Sequence, residues 1–271
     1  MAVLLLFLFC AVPTLARDPQ LHHAFVPHPT VPDRQVEYFW SAPEGDLDGE
    51  APRPAVLLVH GHQVGDRPGA RRFLRLFPSL LKAGFVVAAV SQPGYGESDG
   101  PPDFCGPVSQ DAVHAVLAAL RANPRIDPQR IALYGYSRGA IVSSMVATQD
   151  PALAGLILGG GIYDLEARYL TMPDDWGAKA NLEKEAGTSR EALLARSALL
   201  AEEPIRVPTL FIHGADDPIS PVEGTRRFAA RLHEAGTPVE VRVYADTAHG
   251  VPWREQEEAV VGFLGWVAGV D

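Results

Sequence analysis

The chain has little cysteine, no basic run and no long hydrophobic stretch, and each shortage removes a class of function. Cysteine occurs only at Cys10 and Cys105 in 271 residues. If the segment carrying Cys10 is removed, no internal disulfide can form, so the fold has to rest on its core. Lys and Arg number 23 against 33 Asp and Glu, a formal net charge of -10. A surface with that excess repels phosphate, which excludes nucleic acid as a partner. The nearest approach to a basic cluster, Arg71, Arg72 and Arg75, has the spacing of one helix face. It reads as a solvated face, with a partner or an anionic ligand as the alternative.

The longest apolar run, residues 1–16, falls short of the about 20 residues that a membrane-spanning helix needs. It is uncharged and ends in Thr14-Leu15-Ala16, small residues of the kind found before a signal-peptide cleavage site. Export to the periplasm or the extracellular space is the expectation. The missing positive n-region leaves a retained membrane anchor, a mis-assigned start and a buried apolar arm as alternatives. Membrane contact is expected only if the segment stays. No internal repeat and no low-complexity segment occurs.

What is present describes one globular domain. Hydrophobic residues make up 47% of the chain, with 25 Gly and 24 Pro. A domain of this size buries roughly 70–75% of its unfolded surface and needs neither disulfide nor structural metal to hold a core. Residues 17–34 are rich in proline and weak in periodicity, which predicts an extended arm. The arm's His22, His23 and His28 lack the Cys or carboxylate pattern of a metal site and read as bystanders.

From residue 35 the chain alternates strand and helix signals. Strands are predicted over 35–40, 54–60, 85–91, 130–136, 153–159, 207–213 and 239–244. Helices are predicted over 69–82, 111–122, 139–148, 222–235 and 254–268. The near-continuous apolar strands are those of a sheet covered on both faces. Such alternation implies a doubly wound, mostly parallel α/β sheet with right-handed crossovers. The alternation breaks only at 165–206, where helical patterns without a central strand read as an inserted cap.

Gly135-Tyr136-Ser137-Arg138-Gly139 follows a predicted strand and opens a predicted helix. Glycines on both sides of a serine permit a very tight strand-to-helix turn that lifts the hydroxyl above the sheet edge, so Ser137 is the candidate nucleophile. Serine needs a base, and His249, just after the last strand, sits on the same sheet edge. The orienting carboxylate is expected one strand earlier, in His213-Gly214-Ala215-Asp216-Asp217. Asp217 has the better spacing from that His-Gly pair, with Asp216 and Asp164 as alternatives. An oxyanion hole requires converging backbone N–H groups. The Arg138 amide is one candidate, and the loop His60-Gly61-His62-Gln63 offers the other, His62 ahead of Gln63. His60 itself reads as a structural histidine. The Arg138 side chain reads as packing or a structural salt bridge, with a substrate carboxylate as the alternative. Gln63, Tyr95, Tyr163, Tyr169 and Trp176 are candidate pocket residues, and Cys105 reads as a buried small hydrophobe rather than a second nucleophile.

These landmarks resemble the α/β-hydrolase superfamily from about residue 35 to the C-terminus. His60-Gly61, Pro93-Gly94-Tyr95-Gly96-Glu97-Ser98, the serine turn, His213-Gly214 with Asp217, and His249-Gly250 fall in that superfamily's order. Within it the chain is most similar to prolyl-oligopeptidase-like catalytic domains, although its 271 residues leave no length for the β-propeller of full-length members. The resemblance implies an α/β-hydrolase fold and a cofactor-independent serine hydrolase. Its substrate would be a short peptide or a small ester cleaved through an acyl-enzyme. A short-chain carboxylesterase or acyl-transfer enzyme is the alternative, and a non-catalytic ligand-binding protein on the same fold the remote one.

Overall fold

The computed structural model describes residues 20–43 and 51–270, so the apolar segment 1–16 lies outside the described residues. The strands are β1 His22–Pro27, β2 Gln35–Ser41, β3 Arg53–Val59, β4 Val86–Val90, β5 Ile126–Tyr136, β6 Gly155–Gly159, β7 Thr209–Gly214 and β8 Val239–Tyr244. They form one eight-stranded sheet in the order β1-β2-β4-β3-β5-β6-β7-β8. The pairings of β1 with β2 and of β2 with β4 are antiparallel, and all others are parallel. This is the mostly parallel sheet that the alternation predicts.

The helices are α1 Phe77–Lys82, α2 Pro107–Ala122, α3 Arg138–Gln149, α4 Leu165–Thr171, α5 Gly177–Ala186, α6 Arg190–Leu194, α7 Val222–Glu234 and α8 Trp253–Ala268. Alternate residues of each central strand face opposite sides. Ala55, Leu57 and Val59 of β3 therefore join the core under α2, α3 and α7, while Val56 and Leu58 join the core under α1 and α8. Both faces are covered, which is why β4 and β6 are buried along their whole length. Among the described residues no helix is long and apolar enough to cross a membrane.

Three local features differ from the sequence expectation. The stretch read as an arm contains β1, an edge strand whose half-exposed alternation gives little hydrophobic signal. The single helix predicted over 69–82 is a 3-10 helix, Gly69–Leu76, followed by α1. Pro78 stands at the start of α1 and has no N–H, so it cannot continue an α-helical bond ladder from the preceding turn. Strand β5 begins at Ile126 rather than 130, where pairing with Arg53 precedes a register shift.

Between β6 and β7 no strand intervenes. Helices α4, α5 and α6 and the 3-10 turn Ala198–Leu200 fill this insertion. Asp164 caps α4 by accepting from the Ala167 N–H (3.0 Å). Ser189 caps α6 in the same way through Ala192.

Candidate active site

Backbone constraints put Ser137 where it is. The serine has φ 56° and ψ −120°, a left-handed conformation that is costly for a side chain with a Cβ. The turn holds because its neighbours are glycine. A Cβ on Gly135 would lie 2.1 Å from the Gly139 carbonyl oxygen, and one on Gly139 would lie 2.0 Å from the Val59 carbonyl oxygen. Strands β5 and β3 thus approach α3 more closely than any side chain allows. The Ser137 N–H donates to the Gly159 carbonyl (2.7 Å), tying the turn to β6.

The loops after β7 and β8 bring Asp217 and His249 to the same sheet edge. Asp217 Oδ2 lies 2.8 Å from His249 Nδ1, and His249 Nε2 lies 2.8 Å from Ser137 Oγ. A carboxylate only accepts, so Nδ1 carries the proton and Nε2 presents its lone pair to the serine hydroxyl. Asp217 Oδ1 accepts from the Ile219 and Ser220 N–H groups (2.9 and 3.0 Å), and its Oδ2 lies 3.0 Å from Ser220 Oγ. Burial works against the charged carboxylate. Hydrogen bonds from His213, His249 and the Ser220 amide outweigh it and hold Asp217 well below the usual carboxylate range. Of the alternatives, Asp216 donates its N–H to the Thr247 carbonyl in the neighbouring loop, and Asp164 is the α4 cap.

Two supporting residues were not singled out from the sequence. Ser220 Oγ donates to the Gly160 carbonyl (2.8 Å) and touches both Asp217 Oδ2 and His249 Nδ1. Tyr136 Oη donates to the His249 carbonyl (2.8 Å) and accepts from the Val251 N–H (2.9 Å), pinning the histidine loop from both sides. Tyr136 stands inside the glycine-serine motif, so its position was visible although its role was not.

The loop after β3 abuts Ser137, since a Cβ on Gly61 would come within 3.0 Å of Ser137 Cβ. His60 is buried, with Nδ1 donating to the Gly61 carbonyl (2.8 Å) and Nε2 accepting from the Gln92 N–H (3.0 Å). Burial lowers its pKa to about 4, so it stays neutral and structural. His62 Nδ1 accepts from Tyr95 Oη (3.0 Å), which in turn accepts from Arg138 Nη1 (3.2 Å). The His62 proton therefore sits on Nε2, and burial followed by the Arg138 charge lowers its pKa.

Arg138 is itself buried and forms an ion pair with Glu185 of α5 (2.7 Å). Glu185 also accepts from the Phe104 N–H (3.1 Å), and the guanidinium lies 4.5 Å from the centre of the Phe104 ring. This pair fastens the insertion to the residue after Ser137. Cys105 lies beneath, its thiol donating to the Arg138 carbonyl (3.4 Å) and pushed up to about 11 by burial. It is an inert packing residue, not a nucleophile.

Two cavities meet at Ser137, His249 and His62. The first, about 420 Å³, is mostly apolar and lies under the insertion, with Phe104, Ile141, Ile162, Met172, Trp176 and Ile219 in its wall. The second, about 550 Å³, opens on the opposite side and includes Gln63, Arg72, Arg75 and Arg254. Of the sequence-predicted pocket residues, Trp176 and Gln63 line cavities and three tyrosines do not. Tyr163 packs in the core against Phe211 and Phe228. Tyr95 is buried behind His62, and Tyr169 bonds to Glu183. Tyr163 and Tyr95 went to the interior and Tyr169 to a hydrogen bond with Glu183, which no local sequence pattern distinguishes from pocket lining.

The sequence profile of the prolyl oligopeptidase family matches residues 75–270. An uncharacterized peptidase of Bacillus subtilis, YtmA, is 26% identical over 189 residues, covering 68% of this chain and 72% of the relative. The structure of a Mycobacterium tuberculosis puromycin-hydrolyzing peptidase superposes with a TM-score of 0.77 at 23% identity, over 95% of this chain and 40% of the other. The Pyrococcus furiosus esterase Pf2001 superposes with a TM-score of 0.68 at 17% identity, over 93% of this chain and 92% of its own. The last two likenesses concern the fold alone.

Proposed function

The chain belongs to the prolyl oligopeptidase family, and from that premise we propose that it is a serine hydrolase cleaving amide or ester bonds with Ser137, His249 and Asp217 as its catalytic residues. The observation that carries this reading is the relay itself, two contacts of 2.8 Å joining a carboxylate, an imidazole and a serine held at positive φ. Ser137 Oγ attacks the substrate carbonyl carbon while His249 Nε2 takes its proton. Asp217, kept charged by its hydrogen bonds, stabilises the resulting imidazolium. The amides of His62, in the loop after β3, and of Arg138, at the start of α3, flank Ser137 and receive the oxyanion. His249 then protonates the leaving atom as the tetrahedral intermediate collapses to an acyl-enzyme. Water activated by the same histidine releases the acid.

The apolar cavity under the insertion takes the acyl half, and the insertion acts as its cap. Its mostly apolar wall, in which the one charged group, Arg138, is paired with Glu185, suits an aliphatic or aromatic side chain of a peptide, and equally the chain of a carboxylic ester, which makes a carboxylesterase the second reading.

The test is hydrolysis by purified protein of para-nitrophenyl esters of increasing chain length beside aminoacyl and peptidyl arylamides. Turnover of either class should fall by on the order of 10³–10⁶ in Ser137→Ala. Arylamide turnover would support the peptidase reading, and turnover confined to esters the second. A Ser137→Ala protein as active as the wild type would overturn both.

A further inference from the structure

The arginines that stand out in the sequence are not used by the proposed triad, and the structure divides them into two roles. Arg71 pairs with Glu97 (3.2 Å) and stacks over Phe39. Arg72 and Arg75, on the 3-10 helix Gly69–Leu76, point instead to the second cavity, where Arg254 from the first turn of α8 joins them. All three are exposed, and none forms an ion pair among the described residues. The inner end of this cavity is Ser137 and His249, and no Asp or Glu occurs in its wall. Three cations around one opening are notable in a chain with a net charge of -10, although Arg254 also faces Glu257 and Glu258 on the outer side of α8. Their charge is opposite in sign to the net charge of the molecule, and a cleft focuses the field of the groups that line it.

The arginine platform is also rigidly joined to the reaction centre. Gln63 Nε2 donates to the Gly69 carbonyl (2.8 Å), and the Gly69 N–H donates back to Gln63 Oε1 (2.7 Å). This reciprocal pair clamps the start of the 3-10 helix to the loop that carries His62. On the other flank, residues 250–254 follow His249 directly and line the wall together with Tyr134, Tyr136 and Gln256. The cavity therefore borders the group that delivers a proton to the leaving atom.

Resting on the serine hydrolase reading, we propose that this second cavity binds the leaving half of the substrate and that Arg72, Arg75 and Arg254 select a leaving half bearing a carboxylate. Guanidinium groups match carboxylates in charge and planar geometry. In a peptide the carboxylate is either the C-terminal one, close to the cleaved bond, or that of an acidic side chain. Either way the apolar cavity reads the acyl half and the cationic cavity reads the other.

The experiment compares kcat/KM for acyl esters of para-hydroxybenzoate and para-hydroxybenzamide, which share an acyl group and differ in the charge of the leaving half. Because the two esters differ in intrinsic reactivity, the quantity read is how their ratio changes between wild type and the combined Arg72→Gln, Arg75→Gln, Arg254→Gln protein. The ratio is expected to shift toward the neutral ester by on the order of tenfold, which corresponds to about 1.4 kcal/mol from several exposed charge pairs. The change should reside in KM and shrink as salt is added. Blocked dipeptides with a free C-terminus, a C-terminal amide, or an amide plus glutamate in the leaving residue identify which carboxylate is read. A ratio unchanged by the three substitutions, with both esters still turned over through Ser137, would overturn the inference and leave the hydrolase reading intact. Absence of any Ser137-dependent turnover, including that of the neutral ester, would overturn both.

Discussion

The two sides of Ser137 are both largely apolar and differ in the charge around them. Toward the insertion the wall is apolar, and its one charged contributor, Arg138, is neutralised by Glu185 inside the protein. Toward the C-terminal helix the wall carries three arginines with no acidic partner in it. The residues common to both are His62, Ser137 and His249, all fixed by backbone geometry at the ends of parallel strands. The difference teaches that chemistry and selection are separable here. In the proposed reading the sheet supplies the reaction centre, and the helices added on either flank decide which halves fit.

The largest expected effect strikes both sides equally. Asp217→Asn preserves shape but cannot stabilise the imidazolium or hold the same His249 tautomer, so kcat/KM should fall by on the order of 10⁴ for neutral and anionic substrates alike. Steady-state kinetics on the two para-hydroxybenzoyl leaving groups checks this. An unequal loss would mean that Asp217 takes part in selection.

Glu185→Gln separates the sides. It leaves the buried Arg138 without its counter-charge, and removing one partner of a buried pair costs about 3–5 kcal/mol. Thermal or denaturant unfolding should register that loss. Preference among acyl chains should change as well, while the ratio between charged and neutral leaving groups should not. A loss under about 1 kcal/mol would contradict the sealed position of this pair.

The loop between the cavities has its own signature. His60 is held neutral with a pKa near 4 against about 6.5 in the unfolded chain. The unfolded state therefore binds the proton first as pH falls. His60's contribution is complete above about pH 6.5 and is lost between there and about pH 4, by about 3 kcal/mol in total. Denaturant titrations at several pH values should show this slope, and His60→Gln should flatten it. A slope unchanged by that substitution would show that other groups carry it.

The smallest effect belongs to the cavity wall. Trp176→Ala enlarges the apolar side only, and should move the preferred ester to longer acyl chains, with discrimination between neighbours changing by roughly tenfold. An unchanged chain-length profile would place the acyl half elsewhere.

How much of this was legible depended on what constrains each residue. The turn around Ser137 could be read because one this tight needs Gly135 and Gly139, and the strand alternation placed Asp217 and His249 on loops at the same sheet edge, where the structure brings the three side chains into contact. The sheet and its insertion were legible for the same reason. Glu185, Ser220 and the cation-lined cavity were not, because their roles arise where segments far apart in sequence meet. Arg138 and Glu185 are 47 positions apart, and Ser220 and Gly160 are 60 apart. Tyr163 shows the converse. Its residue type suits a pocket, yet the aromatic cluster with Phe211 and Phe228 claims it for the core. β1 escaped notice because an edge strand pairs on one side only and needs little apolar sequence.

The most direct test of the central claim is covalent. A fluorophosphonate probe reacts with a serine only when a neighbouring base activates it. Peptide mass spectrometry of the labelled protein should find the adduct on Ser137, in the peptide containing Gly135-Tyr136-Ser137, with labelling abolished in His249→Ala. An unlabelled protein, or an adduct on another serine, would contradict the account.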